Sequence, residues 1–125
     1  MTKTLSISEL SKEFDITTRT IRFYEAEGLL HPTRKGQTRI YTDQDRVSLK
    51  LILRGKRLGF SLAESKELIE LYDPATTNKK QLSRLMEKIA ERRKSLLQQI
   101  TDINIMHHEL DKAEQRCLDT LKQMR

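Results

Sequence analysis

The chain has 125 residues, of which 34% are charged, and its formal net charge is +6. A chain of this length holds one small head plus an extended arm. No signal peptide, low-complexity run or apolar stretch of 18 residues is present, which excludes a membrane-spanning class and predicts a cytoplasmic protein. Residues 1–60 hold 12 Lys or Arg against 7 Asp or Glu, whereas residues 61–125 hold 12 against 11, so the positive charge lies on the head.

Two short helices, joined by a tight turn, are predicted at the start of the chain. Ser6 and Glu9 have the spacing of a capping box, which starts a helix that ends near Asp15. Thr17 can cap a second helix, and Gly28 suits its left-handed end. Two helices in this order are typical of a helix-turn-helix motif.

The second predicted helix presents polar and basic side chains on one side. Steps of 100° per residue place Ile21 and Tyr24 on the opposite side, which we expect to be buried. An arginine can donate two hydrogen bonds to a guanine edge or bind phosphate, which favours insertion of this helix into a major groove. Solvated surface arginines are the plain alternative, and capping or packing would equally explain the threonine and the phenylalanine. The candidate DNA contacts are Thr18, Arg19, Arg22 and Phe23.

A basic β-hairpin is predicted next, with its turn at residues 33–38 and its returning strand at residues 39–41. Arg34 and Lys35 at the tip, with Arg39 on the return, would contact phosphates and add affinity without sequence information. The alternative is a flexible loop that happens to be basic. The hairpin and the helices together predict a mostly α fold whose head is a winged helix-turn-helix.

Two more helices are predicted in the head. Thr42 and Asp45 can cap a third helix that runs to Leu58, and a second capping box, Ser61 with Glu64, starts a fourth that ends near residue 73. We therefore expect a DNA-binding domain over residues 1–73 and a separate arm over residues 74–125.

The third predicted helix also carries basic residues. Arg46, Lys50 and Arg57 fall in one stripe, and Arg54 is a further candidate beside Arg57. These side chains either contact the DNA backbone or form a solvated seam, and the pattern does not choose between the two.

The arm is predicted to be one long helix, because no Gly or Pro occurs from about residue 78 onward. Apolar residues recur at every seventh position, although the companion positions include the polar Arg92 and Gln99. At 1.5 Å per residue the helix is roughly 60 to 70 Å long, too long for its own head to cover, which predicts dimerisation as a coiled coil. A helix buried in its own domain is the alternative. The candidate seam residues are Leu82, Leu85, Ile89, Leu96, Ile103, Met106, Leu110, Cys117 and, at the last repeat, Met124.

Several motifs resemble the MerR family of transcription regulators across roughly the first 70 residues. Residues 16–25 read Ile-Thr-Thr-Arg-Thr-Ile-Arg-Phe-Tyr-Glu, followed by Gly-Leu-Leu at 28–30, Arg-Ile-Tyr at 39–41 and Leu-Gly-Phe-Ser-Leu-Ala-Glu at 58–64. The resemblance implies a homodimer with antiparallel arms that binds a pseudo-palindromic operator between promoter elements. Such regulators bend and untwist the DNA to reposition RNA polymerase.

By position, the resemblance also implies roles for individual residues. Arg19 and Arg22 would be recognition-helix contacts, Tyr24 a phosphate partner, and Arg39 and Tyr41 wing contacts. The run at residues 52–64 and the short helical tail are similar to members that regulate the degradation of branched-chain amino acids and fatty acids. The resemblance does not identify a small-molecule effector.

Cysteine content argues against a metal or iron–sulfur cofactor. Metal-sensing relatives carry cysteines at the start of the long helix and beyond its end, whereas residues 78–81 contain none and Cys117 is the one cysteine of the sequence. A thiolate site needs two or more such ligands. We therefore predict no cofactor, with Cys117 as a seam residue rather than a reactive thiol, and His107 and His108 as solvated neighbours.

Two function classes fit these patterns. The first is a dimeric DNA-binding regulator, whose affinity for duplex DNA would depend steeply on salt. The second is a coiled-coil adaptor whose basic head binds an acidic protein partner. An enzyme is excluded, because the sequence holds no nucleophile–base pair, phosphate loop or carboxylate dyad in a plausible setting.

Overall fold

The computed structural model describes residues 4–124, which form five helices and one two-stranded hairpin. This mostly helical architecture confirms the predicted fold class. Within the described residues no helix is long and apolar enough to cross a membrane. In chain order the elements are α1 (Ile7–Phe14), α2 (Thr18–Ala26), β1 (Thr33–Lys35), β2 (Thr38–Ile40), α3 (Asp43–Leu58), α4 (Leu62–Leu71) and α5 (Lys79–Gln123).

Side-chain caps set the starts of the first four helices, as the sequence predicts. The Thr17 hydroxyl accepts a hydrogen bond from the backbone N–H of Thr20 at 3.1 Å and so opens α2. The other three helices begin with a capping box, in which the side chain of each of two residues accepts from the backbone N–H of the other. Such a box satisfies two N–H groups that a helix start leaves without intrahelical partners. Boxes of this kind open α1, α3 and α4, and their pairs are Ser6 with Glu9, Thr42 with Asp45, and Ser61 with Glu64.

A short turn joins α1 to α2 and completes the helix-turn-helix. Asp15 ends α1 in the left-handed conformation, with φ of 53°, and the Ser11 hydroxyl donates to the carbonyl of Ile16. Gly28 follows α2 with φ of 78°, a conformation that glycine adopts without a steric penalty. The chain can therefore turn at once from α2 toward the hairpin.

The hairpin is tighter than the sequence predicts. Strands β1 and β2 pair antiparallel, with Thr33 opposite Ile40, and only Gly36 and Gln37 lie between the strands. The predicted turn over residues 33–38 is thus wrong at both ends, because Gly36, with φ of 62°, permits a two-residue connection. A separate bridge joins Leu5 to the residue after β2, which ties the start of α1 to the base of the hairpin.

One hydrophobic core holds these elements together. α1, α2 and α3 each contribute fully buried side chains, and the segment after α2 adds Leu29 and Leu30. Helices α3 and α4 approach closely at Gly55, where an added Cβ would lie 2.6 Å from the Ser65 hydroxyl oxygen. The side chains with the least exposure are Leu10, Ile21, Leu30, Tyr41, Leu49 and Ile52.

The chain divides into two compact units, residues 1–85 and residues 86–125, so the boundary lies inside α5. The first unit contains the helix-turn-helix, the hairpin, α3, α4 and the first turns of α5. The second unit is the continuation of α5, and most of its large apolar side chains are exposed.

Candidate nucleic-acid interface

Helix α2 exposes the two arginines that the sequence singles out. Arg19 and Arg22 lie on the surface, and neither forms an ion pair within the described residues. Ile21 and Tyr24, which lie on the other side of the same helix, are 0% and 3% exposed. The helix is therefore anchored by its apolar side, and both guanidinium groups are available to an outside partner.

The two other candidates on α2 occupy the edge of this surface. Thr18 is half-buried next to the capping Thr17. Phe23 is 48% exposed, and its ring centroid lies 5.7 Å from that of Tyr24. An aromatic ring so exposed beside two arginines can pack against sugar or base edges when a duplex is bound.

The two tyrosines that the resemblance assigns to DNA lie in the core. Tyr24 and Tyr41 are both buried, and the Tyr41 hydroxyl donates to Oε2 of Glu25 at 3.4 Å. Burial, together with the neighbouring Glu25 carboxylate, raises the pKa of Tyr41 to about 12. The phenol of Tyr41 thus stays a hydrogen-bond donor at neutral pH, directed at Glu25.

The hairpin arginines are joined to α2 by Glu25. The Nε group of Arg39 donates to Oε2 of Glu25 at 2.8 Å, and Nη2 of Arg34 donates to Oε1 at 3.4 Å. The Arg34 side chain is 55% exposed and that of Arg39 only 24%. Lys35 is exposed and has no ion pair among residues 4–124. Arg34 and Lys35 can therefore reach a phosphate more readily than Arg39 can.

Sequence reasoning missed Glu25, although one signal was present. An acidic residue near the C-terminus of a helix is disfavoured by the helix dipole, and the last turn of α2 contains no basic residue to offset it. A carboxylate in that position points to cationic partners from another element. Here the partners are the two opposed arginines of the hairpin.

The basic residues of α3 differ in whether they form an ion pair within the described structure. Nε of Arg46 donates to Oε2 of Glu13 on α1 at 2.5 Å, and this bond raises the pKa of the guanidinium. Arg46 therefore joins α3 to α1. Lys50, Arg54 and Arg57 are exposed and make no ion pair in the part of the chain that the structure describes.

The candidate seam residues of α5 are mostly uncovered. Leu85 and Ile89 are half-buried, and Leu85 lines a small apolar cavity of the first unit together with Leu51 and Phe60. Such a run of large apolar side chains on one helix is an exposed hydrophobic surface of the kind that marks an interface. The remaining candidates, all exposed, are Leu82, Leu96, Ile103, Met106, Leu110, Cys117 and Met124.

Comparison with known families agrees with this architecture. A model of the MerR helix-turn-helix family of regulatory proteins matches residues 5–71, more than half of the chain. The chain belongs to the MerR family. A second model, of the MerR DNA-binding region, matches residues 46–113 of this MerR-family protein. The protein is accordingly a DNA-binding transcription regulator and not an enzyme.

Individual relatives support the assignment at the level of sequence and of structure. The regulator CueR of Escherichia coli O6:H1 is 34% identical over 109 residues, which cover 85% of this chain and 78% of CueR. A MerR-family regulator from Bacillus cereus superimposes with a TM-score of 0.64 at 28% identity, covering 88% of this chain and 79% of that one. HiNmlR, a MerR-family regulator that lacks the sensor domain and was solved on promoter DNA, gives a TM-score of 0.58 at 26% identity, covering 79% and 76%.

Proposed function

We propose that two copies of this MerR-family chain bind one pseudo-palindromic promoter operator in the cytoplasm. In each copy α2 enters a major groove, and the hairpin acts as a wing that contacts the adjacent phosphates. The observation that carries this proposal is the pair Arg19 and Arg22, both exposed and without an ion pair in the described chain, on a capped helix whose other side is buried. HiNmlR, which was solved on promoter DNA, supports the choice of partner.

The charges of the head fit this role. Lys35 on the hairpin and Lys50, Arg54 and Arg57 on α3 are exposed cations, and release of counterions from DNA requires such groups. Contacts to phosphate fix the register of the protein on the duplex, whereas the α2 arginines would read bases. By family membership, the complex would distort the DNA between promoter elements and so act on RNA polymerase.

The uncovered face of α5 supports homodimerisation. Ile103, Met106 and Leu110 lie within about two turns of one another and are each more than 60% exposed. A second copy would bury them and the other seam residues, which repeat every seven positions. Family membership favours an antiparallel arrangement of the two arms.

The role of α2 can be tested with a pair of matched variants. Arg19→Ala combined with Arg22→Ala removes two charges from the proposed reading surface. Lys94→Ala combined with Lys122→Ala removes two exposed charges from α5, on the side of the heptad opposite the seam. We expect the first variant to bind duplex DNA about a hundredfold more weakly, since each good arginine contact contributes about 1 to 3 kcal/mol. The control should bind nearly as well as the wild type.

Two results would contradict the proposal. One is equal DNA affinity of the two double variants, and the other is a wild-type affinity that does not change with salt concentration. Dimerisation is tested separately by sedimentation at micromolar concentration. Ile103→Glu, which places a charge in the seam, should give monomers, whereas a monomeric wild type would refute the dimer.

A further inference from the structure

Three donors from the hairpin region meet at one carboxylate of α2. Glu25 accepts from Arg39 at 2.8 Å, and from Arg34 and the Tyr41 hydroxyl at 3.4 Å each. The donors lie 9, 14 and 16 residues away along the chain, so these contacts exist only when the hairpin packs back on α2. No other described side chain of α2 forms an ion pair with the hairpin.

The register of the hairpin explains why a carboxylate is needed at this place. Arg34 and Arg39 are directly opposite each other in the β1–β2 pair, so their side chains lie on the same face. Like charges at directly opposite positions destabilise a strand pair. Each oxygen of the Glu25 carboxylate accepts from one of the two guanidinium groups, which offsets that repulsion.

The two arginines differ in their distance from Glu25 and in the exposed fraction of their side chains. Arg39 is held at the shorter distance and is only 24% exposed, which suits a fixed anchor. Arg34 is bound at the longer distance of 3.4 Å and its side chain is 55% exposed, so more of it is accessible to solvent. Glu25 therefore holds Arg34 in place and still leaves donors free for a phosphate oxygen.

We propose that Glu25 is a positioning residue for DNA recognition: it fixes the wing relative to α2, so that Arg34 meets a phosphate while Arg19 and Arg22 occupy the groove. This inference rests on the proposed function, since it assumes that α2 and the wing bind the same duplex. It adds a determinant of operator affinity that is itself an acidic residue. An acidic residue next to DNA would otherwise only repel it.

The proposal makes a prediction opposite in sign to simple electrostatics. If Glu25 acted through its charge alone, its removal would strengthen binding to every duplex, because the protein would become more positive. If Glu25 positions the wing, Arg34 meets its phosphate only when Arg19 and Arg22 occupy the groove of the preferred duplex. Removal of Glu25 then weakens binding to that duplex and leaves non-specific binding unchanged or stronger. The ratio of the two affinities separates these cases.

The experiment compares three variants on two probes at one salt concentration. The probes are the duplex that the wild-type protein enriches from a randomised pool and a scrambled duplex of the same composition. Glu25→Gln removes the charge with little change of shape. Glu27→Gln is the matched control, because Glu27 is exposed, two residues away, and its side chain has no ion pair or hydrogen bond in the described structure. Glu25→Asp keeps the charge but withdraws the carboxylate by one methylene.

We expect Glu25→Gln to bind the enriched duplex about tenfold more weakly, since loss of one positioned charge-assisted contact has about that effect. Its affinity for the scrambled duplex should not fall. Glu27→Gln should bind both duplexes as well as the wild type or slightly better. Glu25→Asp should lose affinity for the enriched duplex although its charge is unchanged, which a purely electrostatic role would not produce.

The inference is overturned if Glu25→Gln follows Glu27→Gln on both probes, or if Glu25→Asp binds as the wild type does. Far-ultraviolet circular dichroism at the assay temperature establishes that each variant is folded, and Glu25→Asp decides the matter if Glu25→Gln is not. A wild-type protein that enriches no duplex would instead refute the proposed function, so the two failures are distinct.

Discussion

The cap of α2 offers a quantitative link between local structure and DNA binding. Thr17→Ala removes the hydroxyl that accepts from the N–H of Thr20 at 3.1 Å, at the turn that carries Arg19. Loss of such an N-cap typically costs about 1 kcal/mol, which lowers the melting temperature of a domain of this size by about 4 to 8 °C. Opening of the first turn competes with binding, so DNA affinity should fall by about twofold to fivefold.

A second cap in the same domain supplies the control. The Ser61 hydroxyl accepts from the N–H of Glu64, also at 3.1 Å, and opens α4 instead of α2. Ser61→Ala should lower the melting temperature by a similar amount and leave DNA affinity nearly unchanged. Thr17→Ser, which keeps a capping hydroxyl, should keep both the melting temperature and the DNA affinity of the wild type. Thermal unfolding and titration of a labelled duplex measure the two effects. Equal DNA affinity of Thr17→Ala and Ser61→Ala, at equal stability, would refute the assignment of α2 as the reading helix.

Two further predictions concern the titration of Tyr41 and the arrangement of α5. The Tyr41 phenol should ionise near pH 12 in an absorbance titration, and Glu25→Gln should lower that midpoint, because a neighbouring negative charge disfavours the phenolate. In the unfolded chain the phenol ionises near pH 10, so the contribution of Tyr41 to folding stability is complete below pH 10 and is lost as the pH rises toward 12. Tyr41→Phe should lack this loss. A variant whose stability falls as much as that of the wild type over this pH range would contradict the prediction. Cys117 should give no interchain disulfide under mild oxidation, because an antiparallel pair separates the two thiols, whereas a parallel pair would bring them within bonding range and crosslink the dimer.

Local signals in the sequence were sufficient to predict where the helices of the head begin and which side of α2 is buried. Each predicted cap, from Ser6 to Ser61, is present, because a cap depends on residues within three positions of one another. The period of α2 placed Ile21 and Tyr24 opposite the arginines, and both are buried. Side-chain periodicity within one short helix therefore predicted which side of α2 is buried.

Contacts between distant elements could not be predicted in this way. The ion pair of Arg46 with Glu13 joins residues 33 positions apart, and the Glu25 contacts depend on how the hairpin packs on α2. Such pairs are decided by tertiary packing, which spacing along the chain does not encode. The two-residue turn at Gly36 escaped prediction because basic residues on both sides of it have no strand pattern of their own.

The most direct test of the account is selection of bound sequences from a randomised duplex pool by the purified wild-type protein at one stated ionic strength. Two copies of α2 held by one dimer should enrich an inverted repeat whose half-sites keep a constant spacing. The variant that combines Arg19→Ala with Arg22→Ala should enrich no such repeat. A wild-type protein that selects a single unrepeated site, or no sequence at all, would contradict the account.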